Sequence, residues 1–278
     1  MKKKAITIMM SLFLLFLMLS GCGTSNESDT MNESDTTNES DTTNESDTTI
    51  YVFTAASLSN VMEEIAELYN DTNPNVNIIY NADSSGTLQT QIEEGAKCDI
   101  FFSASVKQMD ALIEGSYVDK ENVTDLLENK VVLIKPIGGE TAVTGFENIT
   151  EAANLALAGE DVPAGQYARK IFENLGITDQ VMAMEINEGA NVTAVLAAVS
   201  EKSNEIGIVY ATDAMSVKDS VEVIAEATET EVGEKVIYPV GLVNNEQAAS
   251  EEAAAAQDFY EFLQTEAAAE VFENYGFK

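Results

Sequence analysis

A chain of 278 residues with 48 acidic against 14 basic side chains, a formal net charge of −34 and no histidine rules out several chemistries at once. Nucleic acid is excluded as a partner, because such a surface repels phosphates over a Debye length of roughly 8 Å, and catalysis by Ser-His-Asp or Cys-His has no imidazole to work with. The two cysteines, Cys22 and Cys98, are too few for a zinc centre or for a disulfide within the fold.

Lys2, Lys3 and Lys4 precede an apolar stretch over residues 5–19, and Leu19-Ser20-Gly21-Cys22 follows. This pattern resembles a bacterial lipoprotein signal, which implies removal of residues 1–21 and a lipid on Cys22. Residues 26–49 are four six-residue repeats that begin at Asn26, Asn32, Asn38 and Asn44. Nearly devoid of apolar side chains, residues 22–49 are expected to stay disordered as a spacer, with a mean reach of roughly 30 Å. Each repeat also matches Asn-x-Ser, a glycosylation pattern that carries little weight beside a bacterial signal.

From residue 50 onward, strand and helix signals alternate. Strand-like runs occupy residues 50–54, 76–81, 99–104, 131–135, 206–211, 221–225 and 236–243. Between several of them apolar residues recur at helical spacing, as in Leu58, Val61, Met62, Ile65 and Leu68, or Val192, Val195, Leu196 and Val199. A third helix carries Tyr167, Ile171 and Leu175 and stops at Gly176, and residues 251–275 read as one helix. Alternation of this kind predicts an α/β fold with mixed, mainly parallel sheets. Cys98, just before Asp99-Ile100-Phe101-Phe102, reads as a small buried hydrophobe.

Four predicted helix starts share one chemical character. Ser57 follows Val52-Phe53-Thr54-Ala55-Ala56; Ser84-Ser85-Gly86 follows a strand; Val162-Pro163-Ala164-Gly165 and Gly189-Ala190-Asn191 open two later helices. The first N–H groups of a helix have no partner inside it, and with the helix dipole they form a ready anion site. Taken singly, Ser57 and Ser85 are adequately explained as N-caps, Pro163 as a helix initiator, and Tyr210, ending Gly207-Ile208-Val209-Tyr210, as a half-buried strand aromatic.

Taken together and in order, these motifs resemble the molybdate-binding proteins of bacterial ABC importers. Val52-Phe53-Thr54-Ala55-Ala56-Ser57-Leu58, Ser84-Ser85-Gly86-Thr87-Leu88, Asp99-Ile100-Phe101-Phe102-Ser103-Ala104, Val162-Pro163-Ala164-Gly165-Gln166-Tyr167-Ala168, Gly207-Ile208-Val209-Tyr210, Tyr238-Pro239-Val240 and Tyr275-Gly276-Phe277 carry the likeness. It implies a two-lobed periplasmic-binding-protein fold of type II, each lobe a mixed sheet flanked by helices, with the ligand in the cleft. Lobe 1 is expected over residues 50–134 and 238–278, and lobe 2 over 135–237, with a hinge near Lys135-Pro136 and Tyr238-Pro239.

The resemblance further implies that Ser57 and Ser85 donate to the anion from the first lobe. Ala164 and Val192 would donate backbone N–H groups from the second, with Tyr210 adding its phenol. The residues around Val192, namely Asn191 and Thr193, depart from the family pattern. The implied ligand is molybdate or tungstate, with no cofactor and no catalysis. The implied setting is a monomer on the outer face of the cell membrane, held by its lipid and delivering to an ABC permease. Molybdate is an acceptor-only dianion, and none of the five residues is acidic or basic, so the expected site presents donors alone. Sulfate has the same hydrogen-bond inventory and differs in size. A secreted hydrolase using Ser57 or Ser85 and a surface-structural lipoprotein are the readings from other classes.

Overall fold

The computed structural model describes residues 48–245 and 248–278. The signal, Cys22 and the repeats up to residue 47 lie outside the described residues. The first strand, β1 (Thr48–Ala55), starts two residues before the expected beginning of lobe 1 at residue 50. A 3-10 turn over Ala56–Leu58 leads into α1 (Ser59–Asn70). Then come β2 (Val76–Asp83), α2 (Ser85–Glu93), β3 (Ile100–Phe102), α3 (Val106–Glu114) and β4 (Val118–Asn129).

The chain now changes sheet. β5 (Val131–Pro136), a second 3-10 stretch (Phe146–Glu151), β6 (Asn154–Ala158), α4 (Pro163–Leu175), α5 (Thr178–Met182) and β7 (Glu185–Gly189) follow. After them come α6 (Val192–Ser200), β8 (Ile206–Tyr210), α7 (Ala211–Ser216), β9 (Val221–Glu226) and α8 (Glu229–Val232). The chain returns through β10 (Val236–Val243) and ends in α9 (Ser250–Phe262) and α10 (Glu266–Asn274). The expected single C-terminal helix is thus two, broken where Thr265 caps the second by accepting from the Ala268 N–H.

Each of the two sheets has five strands, in the orders β2-β1-β3-β10-β4 and β7-β6-β8-β5-β9. Each is mixed. β1 is parallel to β2 and β3, whereas β10 is antiparallel to β3 and β4. In the second sheet β6 is parallel to β7 and β8, whereas β5 is antiparallel to β8 and β9. The central strands are apolar on both faces, as they must be when helices cover both. Ile100 and Phe102 enter the main core, while Phe101, pointing the other way, joins Leu88, Ile92, Cys98, Met109 and Leu112. The main core runs without interruption through both lobes, and the Tyr210 and Tyr238 rings meet edge-to-face at 5.5 Å where they adjoin.

The crossings differ from the expected positions. Val131, Val132, Leu133 and Ile134 belong to the second sheet, so a single residue, Lys130, separates β4 from β5, and the return crossing spans residues 227–235. A hydrophobic strand that continues straight into another leaves no compositional mark at the junction, which is why Lys135-Pro136 drew the boundary. The two crossings lie side by side: Lys130 pairs with Glu226, and Lys235 Nζ reaches Glu128 at 2.8 Å.

Candidate anion-binding cleft

The five expected residues converge. Ser57, Ser85, Ala164, Val192 and Tyr210 all line one small cavity between the sheets. Ala55, Ala56, Asp83, Ser84, Ala104, Val162 and Pro163 complete it. The β1 strand delivers the 3-10 turn, and β2 delivers the start of α2. From the other side β6 leads to the start of α4, β7 to the start of α6, and β8 ends at Tyr210. Three helix N-termini and one 3-10 turn therefore point at one space.

Local chemistry at these starts differs from the simplest expectation in a telling way. Neither serine is an N-cap. Ser84 caps α2, its Oγ accepting from the Thr87 N–H, and Ser85 is the first helical residue. The Ser85 Oγ accepts instead from the Ala104 N–H at 2.9 Å. Ser57 sits inside the 3-10 turn, and its Oγ lies 3.0 Å from the Tyr238 Oη. Accepting from the Ala104 N–H leaves the Ser85 hydroxyl its proton to donate, whereas between Ser57 and Tyr238 either oxygen can be the donor. Pro163 opens α4 as expected, so the Ala164 N–H is the first donor of that helix. Asn191 caps α6 through Oδ1 and leaves the Val192 N–H at the helix mouth.

Tyr210 is 1% exposed, deeper than a half-buried strand aromatic. Its hydroxyl has no hydrogen-bond partner among the described residues, although it lies buried against the cavity. Burial, reinforced by the nearby Tyr238 and Tyr167 phenols, holds it protonated well above the ordinary tyrosine range. Asp213 fixes the backbone here: its Oδ2 accepts from the Tyr210 N–H at 3.0 Å. Burial pushes the Asp213 carboxyl up to about 7 despite that hydrogen bond.

Asp83 is the residue that sequence reasoning missed. It ends β2, lines the cavity and accepts from the Ser84 N–H at 2.7 Å and across the cleft from the Asn191 Nδ2 at 3.1 Å. The lining is therefore not purely donors, as expected from the five residues alone; both of these hydrogen bonds fall on the Asp83 Oδ1, which clasps the lobes. Its signal was present in the strand-ending Asn81-Ala82-Asp83 beside Ser84. Among the described residues, no cationic side chain lines the cavity. A larger groove holds Lys107, Arg169 and Lys170 together with Glu160, Glu173 and Glu234, and the Lys170 Nζ lies 2.8 Å from Glu234.

Lobe-to-lobe contact is close. A Cβ built on Gly86, at the start of α2, would come 2.1 Å from the Asp161 carbonyl oxygen of the second lobe. Gln108 of α3 donates to the Gln166 Oε1 of α4 at 3.3 Å. The two lobes are thus in direct contact beside the cavity.

Two mixed five-stranded sheets with a small cavity between them, lined by helix starts from both, form the frame of this chain. Residues 50–278 match the family model of the bacterial extracellular solute-binding proteins, and the chain belongs to that family, whose members bind and do not catalyse. Among its relatives is a chain of Bacillus subtilis strain 168, YvgL, provisionally named an ABC transporter substrate-binding lipoprotein. It is 34% identical over 275 residues, which cover 99% of this chain and 98% of the relative. The molybdate-binding protein ModA of Haemophilus influenzae is 34% identical over 236 residues, 82% of this chain and 89% of its own. The solved periplasmic molybdate-binding protein of Azotobacter vinelandii superposes with a TM-score of 0.71 at 17% identity, covering 82% of this chain and 98% of that one, which establishes the shared fold.

Proposed function

We propose that this chain captures molybdate and tungstate outside the cytoplasm, anchored to the membrane through a lipid on Cys22, and delivers them to the permease of an ABC importer. The observation that carries the reading is the Tyr210 hydroxyl, buried against the cavity and without a partner. Leaving a buried polar group unmade costs about 1–3 kcal/mol, and an acceptor-only oxyanion at the meeting of three helix N-termini satisfies it. The Ser57 and Ser85 hydroxyls and the Ala164 and Val192 N–H groups surround the same space. Each hydrogen bond to a charged oxygen contributes about 1.5–3 kcal/mol, which offsets the repulsion of a chain at −34. The 34% identity to a protein named for molybdate supports the choice of ligand. Donors from both lobes favour the closed arrangement only when the anion is present, which is how binding shifts the equilibrium.

Calorimetric titration of the protein with molybdate, tungstate, sulfate and phosphate tests the reading. Molybdate and tungstate should bind tightly, sulfate more weakly by orders of magnitude and phosphate weakest near neutral pH. Tyr210→Phe keeps the ring and should cost about 1–3 kcal/mol of molybdate binding with the fold intact. Sulfate binding as tight as molybdate, or an unaffected Tyr210→Phe variant, would sink the assignment. The anchor is tested separately: Cys22→Ala should abolish membrane partitioning and signal processing in cells, and unchanged partitioning would remove the lipid from the proposal.

A further inference from the structure

We infer that Asn129 and Tyr238 set the direction of the Ser57 hydroxyl, so that it gives a proton to the cavity and does not accept one, and that this pair thereby discriminates against oxyanions that carry a proton. The inference rests on the reading of the cavity as an oxyanion site. It starts from the amide of Asn129, which sits at the crossing between the lobes and is 5% exposed. The Lys130 N–H donates to its Oδ1 at 2.8 Å, which assigns the amide oxygen. The other end is therefore the NH2 group, with two hydrogens and no acceptor capacity. It donates to the Thr212 Oγ1 at 2.9 Å and to the Tyr238 Oη at 3.2 Å.

The Tyr238 oxygen thus accepts. Its own proton stays on, because the phenol is fully buried and burial raises its pKa well above the ordinary value. By distance alone either oxygen of the Tyr238–Ser57 pair, 3.0 Å apart, could donate; because Tyr238 already accepts from Asn129, its proton is assigned to the Ser57 Oγ. Direction propagates along the row: Asn129 to Tyr238, Tyr238 to Ser57. The Ser57 oxygen then receives a hydrogen bond from behind, and its single proton is what remains for the cavity that it lines. Ser85 is set the same way by a different donor, the Ala104 N–H. A backbone donor is removed only by proline, which also disturbs the chain, whereas the Tyr238 hydroxyl can be removed with its ring kept. Molybdate, tungstate and sulfate accept everywhere and suit such hydroxyls. Phosphate near neutral pH keeps a proton that needs an acceptor.

Asn129 and Tyr238 are positioning residues in this account, and the test reads discrimination. Sulfate and phosphate are close in size and differ by that proton, so the ratio of their affinities at one pH is the signal. Tyr238→Phe keeps the ring contacts with Tyr210 and Phe277 and should narrow the preference for sulfate over phosphate by about tenfold, the effect of one neutral hydrogen bond gained by the protonated anion. Asn129→Ala, which leaves both hydroxyls but frees their order, should narrow it as well. Asp83 lines the cavity in every variant and cancels in the comparison. A purely structural role would weaken both anions together, so an unchanged ratio in variants that melt as folded proteins and still bind would overturn this inference alone. A parent protein that binds neither molybdate nor sulfate would overturn the oxyanion reading beneath it, and this inference with it.

Discussion

Gly86→Ala should lower anion affinity by at least about a hundredfold, the equivalent of two charge-assisted hydrogen bonds at about 1.5 kcal/mol each, while making the empty protein slightly more stable. The two effects have opposite signs because the residue has two environments. Within α2 a glycine is a liability, and alanine gains up to about 1 kcal/mol of helix propensity. Against the second lobe the added methyl would stand 2.1 Å from the Asp161 carbonyl oxygen, a backbone atom that no side-chain rotation can move aside. Closure would stop short, and the donors on α4, α6 and Tyr210 would not reach an anion held by Ser57 and Ser85. Titration with molybdate paired with thermal melts of the unliganded protein separates these outcomes. Parental affinity in the variant would show that Gly86 does not limit closure.

Asp213→Asn should stabilise the protein at about pH 8 by up to about 4 kcal/mol, the free-energy equivalent of a shift of this size. The folded-state carboxyl sits at about 7, against an ordinary value of 3.8. Between those values the folded chain holds a proton that the unfolded chain releases, so this residue's contribution falls as pH rises from about 4 to about 7 and is fully lost above. Asparagine stays neutral throughout, and its side-chain oxygen still accepts from the Tyr210 N–H. The advantage of the variant should therefore vanish below about pH 4, where the parent is protonated in both states. Urea denaturation across this range measures the difference directly, and a constant difference at every pH would mean that Asp213 does not titrate with folding.

Strands rich in β-branched and aromatic residues were legible in the sequence, and seven of the runs read there correspond to strands. Three were not: β4, β6 and β7. β4, Val-Asp-Lys-Glu-Asn-Val-Thr-Asp-Leu-Leu-Glu-Asn, lies at a sheet edge with exposed charged residues, and edge pairing to β10 overrides its poor propensity. β6 is Asn-Leu-Ala-Leu-Ala, equally suited to a helix until β7 and β8 flank it. The convergence of Ser57, Ser85, Ala164, Val192 and Tyr210 was legible only through ordered motifs, since no spacing joins positions up to 153 residues apart that meet by sheet topology. The side chains behind them were not legible at all. Nothing local marks Asn129 as the partner of Thr212, or Tyr238 as the partner of Ser57, because both pairs exist only once the crossings lie side by side.

The lack of any cation in the cavity lining has a consequence for how a filled molecule is told from an empty one. A dianion held by neutral donors keeps its charge, so loading makes the protein more negative by two units. Against a chain already at −34, such a change is faint beyond a Debye length of roughly 8 Å. Under the proposed function, occupancy would be announced by geometry, through contacts that join the lobes such as Asp83 with Asn191 and Gly86 against Asp161. A docking partner that waits for cargo has to gauge the spacing between lobes, touching both at once.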